Sequence, residues 1–411
     1  MHLLLLFILT WFLQLSDEPI PITVDPDQVI GAVSQLSYGA NYGPLQVVTV
    51  DLIPAMQQSG LNYLRFPGGR WGDENDIRST QIDDLMRIAS LTDAEVSISV
   101  RLENGTPEQA AELVRLVNIE GGHNVRLWSI GNEPNLFDDY DTVQHNQEWR
   151  AIAEAMLEVD PSILLMGPDT SQFTADLANN PKDSAGRDWV EEFLRANGDL
   201  VDIVTVHRYP FPRSLSDPVT TIDDLRANVT EWDDLLPTLR EMAYTITGRE
   251  LPVAVTEANS HWSSAAGGEA SPDSHFNAIW WADVLGRLLL DEPFAVAYFD
   301  LQSSPPRGGT GLMARYEPRP TYYVYQIYQR FGTQLVAAES PVNDVTAYAA
   351  LRDDGVLTVI VVNLSDEVQA ITFDNLQPIE MWRFDQAGFV QADPTLTLTP
   401  QSITLFVFDS F

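Results

Sequence analysis

VRLWSIGNEPNL, residues 125–136, is the stretch on which the reading of the fold turns. It begins as an apolar run of strand length and stops at Gly131, which lets the backbone turn. Asn132 and Glu133 follow, and Pro134 ends the strand. An ionisable acid at the tip of a hydrophobic strand is costly unless it faces a polar cavity. The rim of a sheet or barrel is the implied setting.

Seven more runs of this kind lie along the chain: SYGANY (37–42), NYLRFPGG (62–69), EVSISVRL (95–102), ILLMGPD (163–169), VDIVTVHRYP (201–210), LPVAVTEANS (251–260) and AVAYFDLQ (295–302). VRLWSIGN (125–132) is the fourth in order. Segments with helical spacing separate them. TPEQAAELVRLVNI (106–119) opens with a Thr N-cap and Pro at the first helical position, while QEWRAIAEAMLEVD (147–160) and PTYYVYQIYQRFG (320–332) show helical periodicity. Eight β-then-α units in series predict an α/β chain whose parallel strands close into a (β/α)8 TIM barrel. A doubly wound open sheet is the alternative, but SYGANYGP is a poor match to the Gly-rich phosphate turn expected after its first strand.

After about residue 335 the texture changes to alternating strand runs with turn signals such as Asp353-Asp354-Gly355, which predicts a C-terminal antiparallel β-sandwich. The strand-like PITVDPDQVIG (21–31) is expected to join that sandwich before the chain enters the barrel. The predicted organisation is an apolar leader over 1–19, a strand segment over 20–34, the barrel over 35–333 and the sandwich over 334–411.

The leader, MHLLLLFILTWFLQL, has the length of a signal-peptide core, although it lacks a Lys/Arg region before it. It is too short to span a bilayer well, and no later segment reads as a membrane span. A secreted or cell-surface protein is expected. The net charge is −36, and Lys182 is the only lysine, so nucleic acid is not an expected partner. There is no cysteine, which excludes disulfides and thiolate metal sites. The six histidines are scattered without metal-ligand spacing, so neither a metal nor a cofactor is expected. Oligomeric state is not legible in the sequence.

In a parallel barrel the chemistry sits at the C-terminal ends of the strands. The fourth run ends in Asn132 and Glu133, and the seventh ends in Glu257. Alternation along a strand puts Glu257 on the face of Val253 and Val255, and Glu133 on the face of Leu127 and Ser129. Both acids are thereby expected to aim at the barrel axis, and Trp128 away from it, into the core. Two carboxylates across one mouth are the equipment of glycoside cleavage, one as proton donor and one as nucleophile. An ionised Glu257 is expected to raise the pKa of Glu133 and keep it protonated. Arg65, closing the second run, would keep Glu257 ionised. His207 and Tyr209, closing the sixth, would donate to a carboxylate or a sugar hydroxyl, and Asn132 would bond the hydroxyl next to the reacting carbon. Asn41, Glu103, Asp300 and Gln302 are further candidates for lining the mouth. Trp262, in the Gly/Ser-rich NSHWSSAAGGEAS, is a candidate sugar-stacking residue or simply an exposed loop residue. PGGRWGDEND (67–76) lacks the Walker lysine and the calcium-loop register and reads as the loop after the second strand.

GNEPN after a fourth strand and TEAN after a seventh resemble the clan A retaining glycoside hydrolases. LRFPGG, HRYP, ITVDPDQVIG…YGANYG and GLMARYEPRPTYYVYQIYQRFG are similar to the families around heparanase and β-glucuronidase (family 79), arabinofuranosidase (family 51) and β-xylosidase (family 39). The resemblance covers nearly the whole chain after the leader. It implies the same barrel-plus-sandwich layout, with Glu133 as acid/base, Glu257 as nucleophile and a poly- or oligosaccharide substrate. At one place the chain departs from it: the eighth run reads YFDLQ, where many clan members carry a tryptophan. A non-catalytic carbohydrate-binding barrel and a transglycosylase with the same residues are the alternative readings.

Overall fold

The computed structural model describes residues 18–212, 217–263, 268–304 and 309–410. The leader-like run at 1–15 lies outside the described residues. Strand β1 (Ile20–Ala32) comes first. Then β2 (Gly39–Asn41), β3 (Tyr63–Phe66), β4 (Glu95–Val100), β5 (Leu127–Ile130), β6 (Leu164–Thr170), β7 (Ile203–Arg208), β8 (Val253–Ala258) and β9 (Val296–Tyr298) pair in parallel, in chain order. The barrel closes through β2 and β9. Each of the eight runs read from the sequence supplies one of these strands.

Two apolar layers hold the barrel. Inside lies a small cluster made of Tyr63, Leu127, Met166, Ile203, Ala254, Ala295 and Ala297, all from strands or strand ends. Outside, the opposite faces of the same strands (Ile98, Trp128, Val204, Val206, Val253, Val255) pack against the helices in one continuous core. Trp128 is fully buried in this outer layer, with its Nε1 donating to the Val125 carbonyl at 2.8 Å. The helices start where local chemistry fixes them. Thr106 accepts from Gln109 N, the Gln109 side chain caps back onto Thr106 N, and Pro107 opens Pro107–Val114. Asp141 accepts from the Val143 and Gln144 amides and caps Thr142–Val159.

The remaining strands are β10 (Gln334–Glu339), β11 (Val345–Leu351), β12 (Val356–Asn363), β13 (Gln369–Phe373), β14 (Glu380–Asp385), β15 (Gly388–Ala392), β16 (Thr397–Leu398) and β17 (Ser402–Ser410). With β1 they form a nine-stranded sheet in the order β15-β14-β17-β12-β11-β10-β1-β13-β16. All of its pairings are antiparallel except β1 with β13. The sheet folds over a core that includes Ile22, Leu357, Val359, Phe373 and Phe406. On β12 and β17 the alternate residues Ile360, Val362, Ile403 and Leu405 turn the other way and join the barrel core. Burial on both faces explains why VLTVIVVN is apolar without alternation.

Helix His275–Leu290 lies between the two units, and Trp280 and Trp281 are completely buried in it. At this interface Asp283 is also fully buried. It accepts from Arg287 Nε at 2.8 Å on its own helix, from Tyr348 OH at 2.7 Å on β11, and from Thr346 Oγ1. A buried charge needs such partners, so the contact also fixes where the sandwich docks. Tyr348→Phe removes one donor while keeping the ring, and is expected to lower stability by about 1–3 kcal/mol. Chemical denaturation of the variant against wild type measures it.

Candidate active site

The ends of five barrel strands meet around one side chain. Arg65, on β3, has no solvent exposure. Its Nη1 donates to Glu257 Oε1 at 2.6 Å and to Asn41 Oδ1 at 3.0 Å, and its Nη2 to Asn132 Oδ1 at 2.9 Å and Asp169 Oδ2 at 3.1 Å. Burial would lower the arginine pKa, but Asp169 and Glu257 more than reverse this and leave it raised. Glu257 takes two further donors: the Gly69 amide at 2.8 Å on Oε1 and Tyr209 OH at 2.6 Å on Oε2. Burial, then the charge of Glu257, push the Tyr209 pKa well up, so it stays a neutral donor. Gly69 has φ +69, a conformation that suits glycine and turns its N–H to the carboxylate.

Glu133 follows β5 with φ 50, held by its own N–H on the Asp169 carbonyl at 3.0 Å. An oxygen of Glu133, an oxygen of Glu257 and a nitrogen of His207 all lie within 4.8 Å of one another. His207 Nδ1 stands 3.1 Å from Glu133 Oε1 and 3.7 Å from Glu257 Oε2, and its Nε2 stands 3.6 Å from Asp169 Oδ1.

Two β-bulges produce this convergence, and neither is legible in the sequence. On β8 the register shifts between Val255 and Glu257 against β7, and between Val255 and Ala258 against β9. The expected parity of Glu257 with Val253 and Val255 is therefore corrected. The two valines face the helices and Ala254 faces the axis. Thr256 and Glu257 then reach Asp169 and Arg65 in succession, because the bulge turns two neighbouring residues inward. On β6 the register shifts between Pro168 and Thr170, and the extra residue, Asp169, has φ 53. Asp169 was not among the sequence candidates. It is buried and contacts Arg65, accepts from Thr256 Oγ1 at 2.5 Å and faces His207. Its pKa lies well below the usual carboxylate range: burial alone would raise it, but the Arg65 charge and then His207 overcome this.

The protonation order also differs from the sequence expectation. Burial raises the Glu133 pKa, but the hydrogen bond and charge of His207 outweigh it, and the group sits below its ordinary value. Burial likewise opposes a charged His207, yet Glu257, Asp169 and Glu133 together raise its pKa to about 9. The expectation that Glu257 raises the Glu133 pKa is thus corrected: His207 outweighs burial and draws it down.

A cavity of about 1120 Å³ opens over the pair, and its walls include Gly69, Glu133, Ser171, Tyr209, Glu257, Trp262 and Phe299. Phe299 follows β9, and its ring stands edge-on to Tyr209 at 6.1 Å. Trp262 is 42% exposed, lines this cavity and donates from Nε1 to the Pro212 carbonyl at 2.7 Å. The other proposed lining residues lie behind the wall. Asn41 is fully buried, with Nδ2 on the Thr256 carbonyl at 2.9 Å and Oδ1 on Arg65. Glu103 pairs with Arg70 at 3.1 Å, and Arg70 is the residue that lines the cavity. Asp300 accepts from Gln46 Nε2 at 2.8 Å and Thr310 Oγ1 at 3.2 Å, and Gln302 accepts from Val47 N at 3.0 Å. Asn41 ties β2 to β3 and β8, and the other three stitch neighbouring loops together. Asp73, in the short helix Trp71–Glu74 that follows β3, was also missed as a support. Its Oδ1 accepts from Leu102 N at 2.9 Å and its Oδ2 from Asn132 N at 2.8 Å, which fixes the approach of Asn132.

Among the described residues, Glu133, His207 and Glu257 form the one trio close enough to share a metal ion. Arg65 at 2.6 Å from Glu257 makes that corner a poor place for a cation.

The closed parallel barrel joined to a β-sandwich is a layout that solved glycoside hydrolase structures share. An α-L-arabinofuranosidase from Thermotoga maritima matches with a TM-score of 0.74 and 17% identity, over 95% of this chain and 100% of that one. Cel44A, a family 44 endoglucanase from Clostridium thermocellum, matches at 0.71 and 15%, over 95% and 100%. A family 44 xyloglucanase from Paenibacillus polymyxa matches at 0.72 and 16%, over 96% and 100%. Such identities show a common fold. The family described as D-apionate lactonase, C-terminal immunoglobulin-like domain, matches residues 343–405, within the sandwich. No curated protein matches the chain in sequence.

Asp300 allows a check of these placements. Burial raises its pKa to about 7 despite the Thr310 bond. A carboxyl whose folded pKa exceeds its unfolded value, about 3.9, stabilises the fold as pH falls through that window. Wild type is therefore expected to gain on Asp300→Asn between pH 7 and 4, by on the order of 1 kcal/mol per pH unit at most, in thermal unfolding at a series of pH values.

Proposed function

We propose that the chain is a retaining glycoside hydrolase acting on a poly- or oligosaccharide, with Glu257 as nucleophile and Glu133 as acid/base. One observation carries this: carboxylate oxygens from two distant strands lie within 4.8 Å of each other over a single cavity. That spacing suits double displacement, in which the carboxyl groups stand about 5–5.5 Å apart, and not inversion, which needs about 6.5–9.5 Å for an intervening water.

The supports differ in the way the two roles require. Glu257 accepts three donors, one of them cationic, so both of its oxygens are held in a fixed orientation. Glu257 attacks the anomeric carbon while Glu133 gives a proton to the departing oxygen. Water, deprotonated by Glu133, then displaces Glu257. Asn132 is bound through Oδ1 to Arg65 beside the pair, and in this reading its Nδ2 is the group offered to a sugar hydroxyl. Phe299, Tyr209 and Trp262 supply aromatic wall for a sugar face. The leader-like run favours a secreted or cell-surface setting.

The match of the sandwich to a lactonase domain favours a second reading, in which the barrel opens a sugar lactone. An aryl-glycoside panel (glucuronide, xyloside, arabinofuranoside, glucoside, galactoside), run beside aldonolactones, separates the two readings. Under the glycosidase reading, Glu257→Gln reduces turnover to background. Glu133→Ala slows substrates with poor leaving groups by roughly 10²–10⁴-fold and spares activated aryl glycosides. Full activity in Glu257→Gln removes it from the nucleophile role. A sugar acceptor included in the assay reveals transglycosylation by its products.

A further inference from the structure

The ring of His207 is surrounded by acceptors. Nδ1 faces Glu133 Oε1 at 3.1 Å and Glu257 Oε2 at 3.7 Å. Nε2 faces Asp169 Oδ1 at 3.6 Å, a charge contact longer than a hydrogen bond, and has no hydrogen-bond partner among the described residues. A neutral imidazole carries one N–H and one lone pair, and in this pocket the lone pair would point at a carboxylate whichever tautomer formed. Two arrangements suit both sides, the doubly protonated ring facing an ionised Glu133 and an Nε2–H ring accepting from a protonated Glu133, and they differ only in which partner of the Nδ1–Glu133 pair holds the proton. The other charged and titratable neighbours are Arg65, which is bound to Asp169 and Glu257, and Tyr209, whose hydroxyl is on Glu257.

Asp169 is the acceptor for which the proposed reaction has no direct use. It reaches the ring only because the β6 bulge adds a residue, and it is fixed there by Arg65, by Thr256 and by its own N–H on Thr205 Oγ1 at 3.1 Å. Its carbonyl also holds the Glu133 amide at 3.0 Å.

Resting on the glycosidase reading above, we propose that Asp169 is a positioning residue: it holds the His207 ring protonated on both nitrogens, with Nδ1–H on Glu133, and so stores the proton that Glu133 gives to the leaving group. In the first half-reaction the Nδ1 proton passes to Glu133 and on to the glycosidic oxygen as that C–O bond breaks and the Glu257–carbon bond forms. His207 becomes neutral in the step in which Glu257 loses its charge, so total charge is unchanged. The loss of that charge is what releases the ring's proton. In the second half, water attacks the anomeric carbon, the Glu257 ester bond breaks, and the water proton returns through Glu133 to His207.

The test is Asp169→Asn, assayed as kcat/KM against pH on the best aryl glycoside. Without the negative charge the pair loses its proton earlier, so the basic limb is expected to move down by about one pH unit or more while the acid limb stays. A uniform loss at every pH, with both limbs unmoved, shows a purely structural residue and overturns the proposal. Imidazole ¹⁵N shifts of the wild-type protein provide a measurement independent of activity and of the variant's folding, with His207 assigned by the signal missing in His207→Gln. Both ring nitrogens are expected to read as protonated at pH 7.5, and a neutral ring at that pH overturns the proposal. Because the shifts require no substrate, they decide this point even if no glycoside is cleaved, a result that would remove the glycosidase reading itself.

Discussion

A guanidinium with no access to water loses several kcal/mol of hydration, and the protein must replace it with charge and hydrogen bonds of near-ideal geometry. Arg65 obtains both from four other strand ends: Asn41 on β2, Asn132 after β5, Asp169 on β6 and Glu257 on β8. Five of the eight barrel strands are thereby committed to one geometry at the mouth. Neither carboxylate partner can leave without stranding a buried cation, and Arg65 cannot leave without stranding two buried anions. The distance between Glu133 and Glu257 is a consequence, because Asn132 and the Asp169 carbonyl, which set the course of the chain at Glu133, belong to the same network.

The electrostatics of the pocket follow from this arrangement. Arg65 and His207 face Asp169, Glu257 and Glu133, so the acids outnumber the cations and any proton entering the group is shared. Which residue bears it depends on the ligand state. The acceptors around the ring favour it on His207, and the chemistry proposed here calls for it on Glu133.

Strand existence was legible because eight apolar runs, each bounded by turn residues, have only a few ways to bury themselves. Glu133, Glu257, Arg65, His207 and Tyr209 were legible because each ends such a run. The bulges were not, since an extra residue in a strand leaves no mark in composition. Strict alternation therefore misplaced Val253 and Val255 and passed over Asp169, although ILLMGPD ends on it. Asn41, Asp300 and Gln302 stand at strand ends too, but their polar atoms meet backbone or loop side chains supplied by distant segments, as with Thr256 and Val47. Asp73 shows the same limit: its partners are backbone amides, which carry no sequence signature.

The place of β1 has a consequence for how the molecule comes into being. Thr23 pairs with Glu339, and Ile20 with Ile371, so this segment finds its neighbours only after the 316 positions that separate Thr23 from Glu339 have been made. Until then its backbone donors and acceptors have no ladder to join, and the barrel has to assemble between two ends that are not yet connected. The same topology makes the C-terminal unit inseparable by simple truncation. Cutting before β10 would expose the edges of β10 and β13 that β1 covers, and bare edges of that kind invite association with other chains.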